Sequence, residues 1–158
     1  MHRRRLIAAA LAASLGIGVP ATAAERCATP KEEAALRTRA VQTDLMMAAL
    51  SCGERERYNS FVAMFRQSLG REGGNFKSYF QSRYGARATT QLNSYVTQLA
   101  NLASQRYSRE PGEFCAVTKN QLSELLTLKT AEFAAFIARQ PIEPLPNVTF
   151  CTAQSAKP

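Results

Sequence analysis

The stretch that decides the fold is TPKEEAALRTRAVQTDLMMAALSCG, residues 29–53. It opens with a capping threonine, a proline at the first helical position and a glutamate at the capping-box position: Thr29, Pro30 and Glu32. Apolar side chains then recur close to one face, without an internal glycine or proline. Gly53 supplies the left-handed residue that commonly ends a helix. The sequence therefore predicts a helix over residues 30–51, followed at once by Cys52.

Four more segments carry apolar residues at helical spacing, at about residues 54–69, 75–84, 88–107 and 113–139. The glycine-rich run 70–74 predicts a turn between the first two of them. Three prolines forbid continuation of the last helix: Pro141, Pro144 and Pro146. No segment alternates polar and apolar residues with a period of two. The sequence predicts an all-α domain over residues 27–139, an antiparallel bundle of four long helices plus one short helix.

The first 23 residues have the three-part organisation of a secretory signal peptide. A basic segment, His2 to Arg5, precedes an apolar run from Leu6 to Val19 and a small-residue cleavage site at residues 21–23. The apolar run is shorter than the ~20 residues that cross a bilayer, which argues against an uncleaved anchor. We expect cleavage near Ala23 and a periplasmic or secreted product without a transmembrane segment. The adjacent arginines leave both the general and the twin-arginine export routes open.

The charge balance is basic, with a formal net charge of +8. Removal of the three arginines in residues 1–23 lowers it to +5. A charge of this size aids solubility and favours anionic surfaces. Clustered basic residues with interleaved aromatics would indicate a nucleic-acid partner, and the sequence lacks them. Because arginine outnumbers lysine and alanine is abundant, we expect a bacterial source and hence a periplasmic location.

Missing residue types exclude several chemistries. The only histidine is His2, which leaves with the signal peptide. Histidine is the usual general base near neutral pH and the commonest metal ligand. Its absence excludes Ser-His-Asp and Cys-His nucleophiles and the histidine-based zinc, copper and haem sites. The sequence therefore predicts no catalytic residue, no cofactor and no metal site.

Three pairs of glutamates remain as candidates for acid–base chemistry: Glu32 and Glu33, Glu54 and Glu56, and Glu110 and Glu113. Each pair lies where a helix is predicted to begin, and acidic side chains there complement the helix dipole. That structural role is favoured. The alternative is a carboxylate-dependent hydrolase of cell-wall glycans, which would need two glutamates about 5–10 Å apart in one cleft.

Four cysteines indicate two disulfides in an exported chain: Cys27, Cys52, Cys115 and Cys151. None forms a CxxC pair, so neither a redox motif nor a zinc knuckle is predicted. Cys27 and Cys52 flank a helix about 33 Å long, whereas disulfide-bonded Cα atoms lie within about 7 Å. That distance excludes the Cys27–Cys52 pair.

Two pairings survive this exclusion. Antiparallel outer helices would join Cys52 to Cys115 and Cys27 to Cys151, whereas parallel ones would join Cys27 to Cys115 and Cys52 to Cys151. A bundle of alternating direction favours the first pairing. The region from 140 to 158 is then an extended tail pinned by Cys151.

Several short motifs carry a family resemblance: LRTRAVQTDLMMAALSC at 36–52, YNSFV at 58–62, LAN at 99–101 and FCA at 114–116. Together they resemble a family of small secreted alphaproteobacterial proteins with four cysteines. The resemblance spans about residues 27–120. It implies a periplasmic, disulfide-bonded helical domain and brings no known activity, ligand or catalytic residue.

These observations favour a non-enzymatic periplasmic binding or interaction protein. Its candidate contact surface, here called the basic surface, comprises Arg71, Lys77, Arg83 and Arg87. The partner would be an anionic envelope component or another periplasmic protein. An envelope-stress or chaperone-like role is the alternative, since methionines suit promiscuous apolar binding: Met46, Met47 and Met64.

Overall fold

The computed structural model describes residues 27–141 and 145–151. These form six α-helices: α1 Pro30–Ser51, α2 Arg55–Met64, α3 Arg66–Tyr84, α4 Ala88–Arg109, α5 Pro111–Leu125 and α6 Phe133–Arg139. Short 3-10 turns occupy Gly85–Arg87 and Thr130–Glu132. The all-α prediction is therefore confirmed for the described part of the chain. Within it, no helix has the length and apolar character needed to cross a membrane. The predicted signal peptide lies outside the described residues.

Helix α1 begins and ends where the sequence predicts. The Thr29 hydroxyl accepts a hydrogen bond from the Glu32 N–H, and the Glu32 carboxylate accepts one from the Thr29 N–H at 2.8 Å. Gly53 follows the helix with a φ of +76°. Helix α1 contacts all five other helices, and it carries buried side chains on every face. It is therefore the central helix of the described residues, since its buried side chains are distributed around the helix axis and meet neighbours in several directions.

Two clusters of buried side chains surround α1. The aromatic core joins α1 to α3 and α4 and contains Phe76, Tyr79, Phe80 and Tyr95. The phenylalanine core joins α1 to α2, α5 and α6 and contains Phe61, Phe65, Phe133 and Phe136.

The turn predicted at residues 70–74 is wrong, because α3 runs straight through this glycine-rich segment. The break between α2 and α3 lies instead at Phe65, which is fully buried. Each helical glycine costs about 1 kcal/mol relative to alanine. Burial of an aromatic side chain contributes about 1.5–3 kcal/mol, and three of them on α3 are buried: Phe76, Tyr79 and Phe80. Packing therefore outweighs the local preference for a turn.

We expect Gly73→Ala to raise the free energy of unfolding by about 0.5–1 kcal/mol. Gly73 lies inside α3, and a Cβ added there would meet no atom within 4 Å. Urea denaturation measures this. The control is Gly85→Ala, which has the same free space but a φ of +51°, and which should lower stability. A destabilising Gly73→Ala would show that this segment is not helical.

The single last helix predicted over residues 113–139 is also wrong, because the chain reverses between α5 and α6. The Gln121 and Gln140 side chains are hydrogen-bonded at 2.9 Å, and Glu124 and Arg139 form an ion pair at 2.8 Å. A straight helix would place residues 121 and 140 about 28 Å apart. The described residues therefore do not show the predicted set of four long helices and one short one.

The reversal has a local and a tertiary cause. The Lys129 N–H donates to the Glu132 carboxylate at 2.8 Å, which fixes an extended residue ahead of the next turn. The reversal also places Phe133 and Phe136 in the phenylalanine core. No glycine or proline marks the site, so the sequence gives no signal for it.

Two disulfides join Cys52 to Cys115 and Cys27 to Cys151, with Cα–Cα distances of 5.6 and 4.8 Å. This is the pairing that the helix geometry favours. The first joins the end of α1 to the start of α5. Beside the second, Ala28 pairs with Phe150 in a single parallel β-bridge. Of the predicted tail, residues 142–144 and 152–158 lie outside the described part.

Candidate functional site

A cavity of about 640 Å³ lies between α1, α4, α5 and the chain that follows α6, and is here called the α1–α4–α5 cavity. Ala40 and Val41 of α1 form one wall. Leu102 and Phe114 contribute apolar surface from α4 and α5.

A charged pair lies on one side of the cavity. Asp44, the only aspartate in the sequence, forms an ion pair with Arg106, which lies 62 residues further along the chain. Both side chains are about three-quarters buried, at 28% and 24% exposure. The pair joins α1 to α4, and it presents both an acceptor and a set of donors to the cavity.

Three more charged residues lie where α4 ends and α5 begins: Arg109, Glu110 and Glu113. The pKa of Glu113 is raised by a side-chain hydrogen bond with Glu110 and by the repulsion of that second carboxylate. Both side chains are exposed to solvent. Glycosidases hold two carboxyl groups on either side of an enclosed substrate, whereas neither Glu110 nor Glu113 is enclosed. This geometry gives no support to a hydrolase.

Apolar groups complete the cavity lining. Val117 is 46% exposed, so it offers an apolar surface from the α5 side. Leu99 and Leu145 belong to the same lining and are buried, at 5% and 6% exposure. The cavity thus combines apolar walls with one ion pair and an exposed charged edge, which is the usual composition of a small-molecule site.

The other predicted glutamate pairs have structural roles. Glu33 pairs with Arg37 at 2.7 Å, within α1. Glu54 is buried and pairs with Arg57 at 3.0 Å and with Lys119 of α5 at 3.6 Å. These carboxylates tie elements of the fold together and do not line the α1–α4–α5 cavity.

Arg83, a member of the basic surface, is engaged within the fold. Its guanidinium pairs with Glu32 at 3.0 Å, donates to the Cys27 carbonyl at 2.9 Å and stacks 4.1 Å above the Tyr79 ring. Burial acts to raise the pKa of Glu32, but hydrogen bonds from Thr29 and the charge of Arg83 outweigh it, so that pKa is lowered.

The remaining members of the basic surface are exposed: Arg71, Lys77 and Arg87. Arg71, Lys77 and Arg83 follow one another at intervals of six residues along α3. A helix turns by about 100° per residue, so these side chains leave α3 in three directions about 120° apart. Arg71 also contacts Glu72 at 3.3 Å. The basic surface stays a prediction, and its members do not share one face of α3.

The methionines are partly accessible. Met46 and Met64 are each 43% exposed, and Leu50, one turn beyond Met46 on α1, is 61% exposed. Met47 is half-buried, and its sulfur accepts a hydrogen bond from Ser51. No described contact shows what would cover Met46 and Leu50.

Sequence reasoning did not find the cavity. Of its lining, the sequence offers Glu110 and Glu113 as candidates for acid–base chemistry, and not as parts of a binding cavity. Asp44 and Arg106 carry no shared motif, since a separation of 62 residues leaves no local pattern. In the described ranges, no cluster of three or more potential ligands could hold a metal ion.

No protein-family model, no curated protein and no solved structure matches this chain. The resemblance to secreted alphaproteobacterial proteins therefore stays a prediction.

Proposed function

We propose that this chain is an exported, non-enzymatic binding protein that holds one small amphipathic molecule in the α1–α4–α5 cavity. The observation that carries the proposal is a volume of about 640 Å³ with apolar walls and an ion pair that is about three-quarters buried. Natural ligand pockets fall at about 300–1,000 Å³ and combine apolar lining with a few polar groups.

The lining defines the chemistry of the ligand. Its apolar body would lie against Leu102, Phe114 and Val117. A polar group would reach the Asp44–Arg106 pair, which can both accept and donate hydrogen bonds without being separated. Binding without catalysis is favoured because Glu110 and Glu113 are exposed to solvent, and because the third carboxylate of the lining, Asp44, is held in the ion pair with Arg106.

The proposal also covers the location of the protein and the arrangement of its helices. The signal-peptide pattern of residues 1–23 and the two disulfides support export to an oxidising compartment. We further propose that the long helices act as an antiparallel bundle. The disulfide between the end of α1 and the start of α5 supports opposite directions for these two helices.

We expect Val117→Trp to abolish ligand binding, because the indole would occupy the cavity from its exposed side without disturbing a buried residue. The probe is the amphipathic fluorophore anilinonaphthalene sulfonate, titrated against the purified protein. Wild type should bind one molecule, and Val117→Trp should weaken binding by at least about tenfold, which corresponds to about 1.4 kcal/mol.

The matched control is Asn120→Trp, which adds the same indole to an exposed position of α5 outside the cavity. It should bind the probe as wild type does. Equal weakening by both variants, or by neither, would contradict a site in this cavity. Native mass spectrometry of protein purified from the exported fraction then identifies a bound natural molecule by its mass.

A further inference from the structure

The cavity has one wall that is not a helix. Leu145 and Pro146 line it, and they begin the segment 145–151, here called the strap. The strap continues over the aromatic core, where Val148 and Phe150 pack, and it ends at Cys151. One face of the cavity is therefore built from a segment without helical hydrogen bonds of its own.

Besides the disulfide, the strap is held by two backbone hydrogen bonds, by apolar packing on the aromatic core and by the Arg37 guanidinium, which lies 5.6 Å above the Phe150 ring. The Ala28 N–H donates to the Thr149 carbonyl at 2.7 Å, and the Cys151 N–H donates to the Ala28 carbonyl at 3.1 Å. Leu145 is its only residue that reaches full burial, at 6% exposure. Ordering seven residues of backbone opposes these gains, so the strap depends on its covalent link.

The opposite end of that link is fixed. The Arg83 guanidinium holds the Cys27 carbonyl, and Glu32 holds Arg83 in turn. Cleavage of the Cys27–Cys151 disulfide would therefore leave Cys27 in place and release the strap. The other disulfide differs, because the helices that it joins, α1 and α5, both contribute to the phenylalanine core.

We infer that the Cys27–Cys151 disulfide is a redox-controlled latch on the α1–α4–α5 cavity: while it is intact, the strap stays in the cavity wall.

Reduction of this disulfide proceeds by thiol–disulfide exchange. A dithiol reductant attacks one of the two sulfurs, forms a mixed disulfide and then closes its own disulfide. Two electrons and two protons pass to Cys27 and Cys151, which become thiols. All four cysteines are partly exposed, so a reductant can reach Cys27 and Cys151, and what distinguishes this disulfide is the strap that it holds. The strap then leaves the wall, and the cavity opens. The effect on ligand exchange rests on the proposed function, whereas release of the strap does not.

The test compares the double variant Cys27→Ser/Cys151→Ser with the matched double variant Cys52→Ser/Cys115→Ser. Both are compared under conditions in which circular dichroism shows the helical content of wild type. Hydrogen exchange at the backbone N–H groups of residues 28 and 151, which form the two hydrogen bonds of the strap, should speed up by at least about 100-fold in the first variant alone. The dissociation rate of bound anilinonaphthalene sulfonate should rise by at least about tenfold in the first variant alone.

Stepwise reduction of wild type provides a second measurement that needs no variant. Alkylation mapping should find Cys27 and Cys151 labelled while the chain keeps its helical circular dichroism. Unchanged exchange in the strap, or equal acceleration in both variants, overturns the latch. If the strap is released but the dissociation rate of the probe does not change, the disulfide does not control the cavity. Faster strap exchange in a protein that never binds the probe supports the release and contradicts the proposed function.

Discussion

Replacement of both Cys52 and Cys115 by serine is expected to lower the free energy of unfolding by about 4 kcal/mol. The disulfide closes a loop with a sequence separation of 63 residues, and chain-entropy estimates for such a loop give about 4 kcal/mol as an upper value. A domain of this size has a net stability of about 5–15 kcal/mol, so the loss is a large part of the whole.

Urea denaturation provides the measurement, with two readouts. The midpoint should fall, and the slope m should rise, because an unfolded chain without the crosslink exposes more surface. Reduced wild type is the control and should lie below the double variant, since it lacks the second disulfide as well. A loss under about 1 kcal/mol with an unchanged m would contradict a constraint on the unfolded chain.

Replacement of Phe133 by alanine is expected to cost about 3–5 kcal/mol, as for other buried phenylalanines. Its side chain is 2% exposed and stacks on Phe65 with ring centroids 4.9 Å apart. This contact exists only because the chain reverses before α6. In a straight helix, Phe133 would lie about 12 Å beyond Leu125 along the axis.

The control for this prediction is Val117→Ala, an exposed apolar site on α5 whose truncation should change stability by no more than about 0.5 kcal/mol. A double-mutant cycle with Phe65→Ala isolates the ring contact, and we expect a coupling of about 0.5–1.5 kcal/mol. A Phe133→Ala variant as stable as Val117→Ala would mean that α6 does not pack on the phenylalanine core.

Sequence reasoning succeeded where the signal is local. The cap of α1 needs only Thr29 and Glu32, three residues apart, and both lie in the predicted geometry. The length of the first helix excluded the Cys27–Cys52 pair, because a rigid rod about 33 Å long keeps these two residues apart. The preference between the two remaining pairings rested on a packing assumption, namely that the outer helices run antiparallel.

It failed where a distant contact outweighs a local preference. The glycines of segment 70–74 weaken a helix by about 1 kcal/mol each, yet the buried aromatics of α3 hold it helical. The stretch between Leu125 and Phe133 has no breaker residue, yet the phenylalanine core draws α6 back onto α5. In both cases the decisive partners are remote in sequence.

By itself, the sequence determined the helical class, the extent of α1 and the absence of histidine chemistry after residue 23. Only the tertiary structure decided where the chain reverses, which arginine is engaged by Glu32 and Cys27, and where α1, α4 and α5 leave a cavity. The physical reason is the range of the forces that act. Caps and breakers operate within one turn of helix, whereas burial depends on surfaces that meet only in the folded chain.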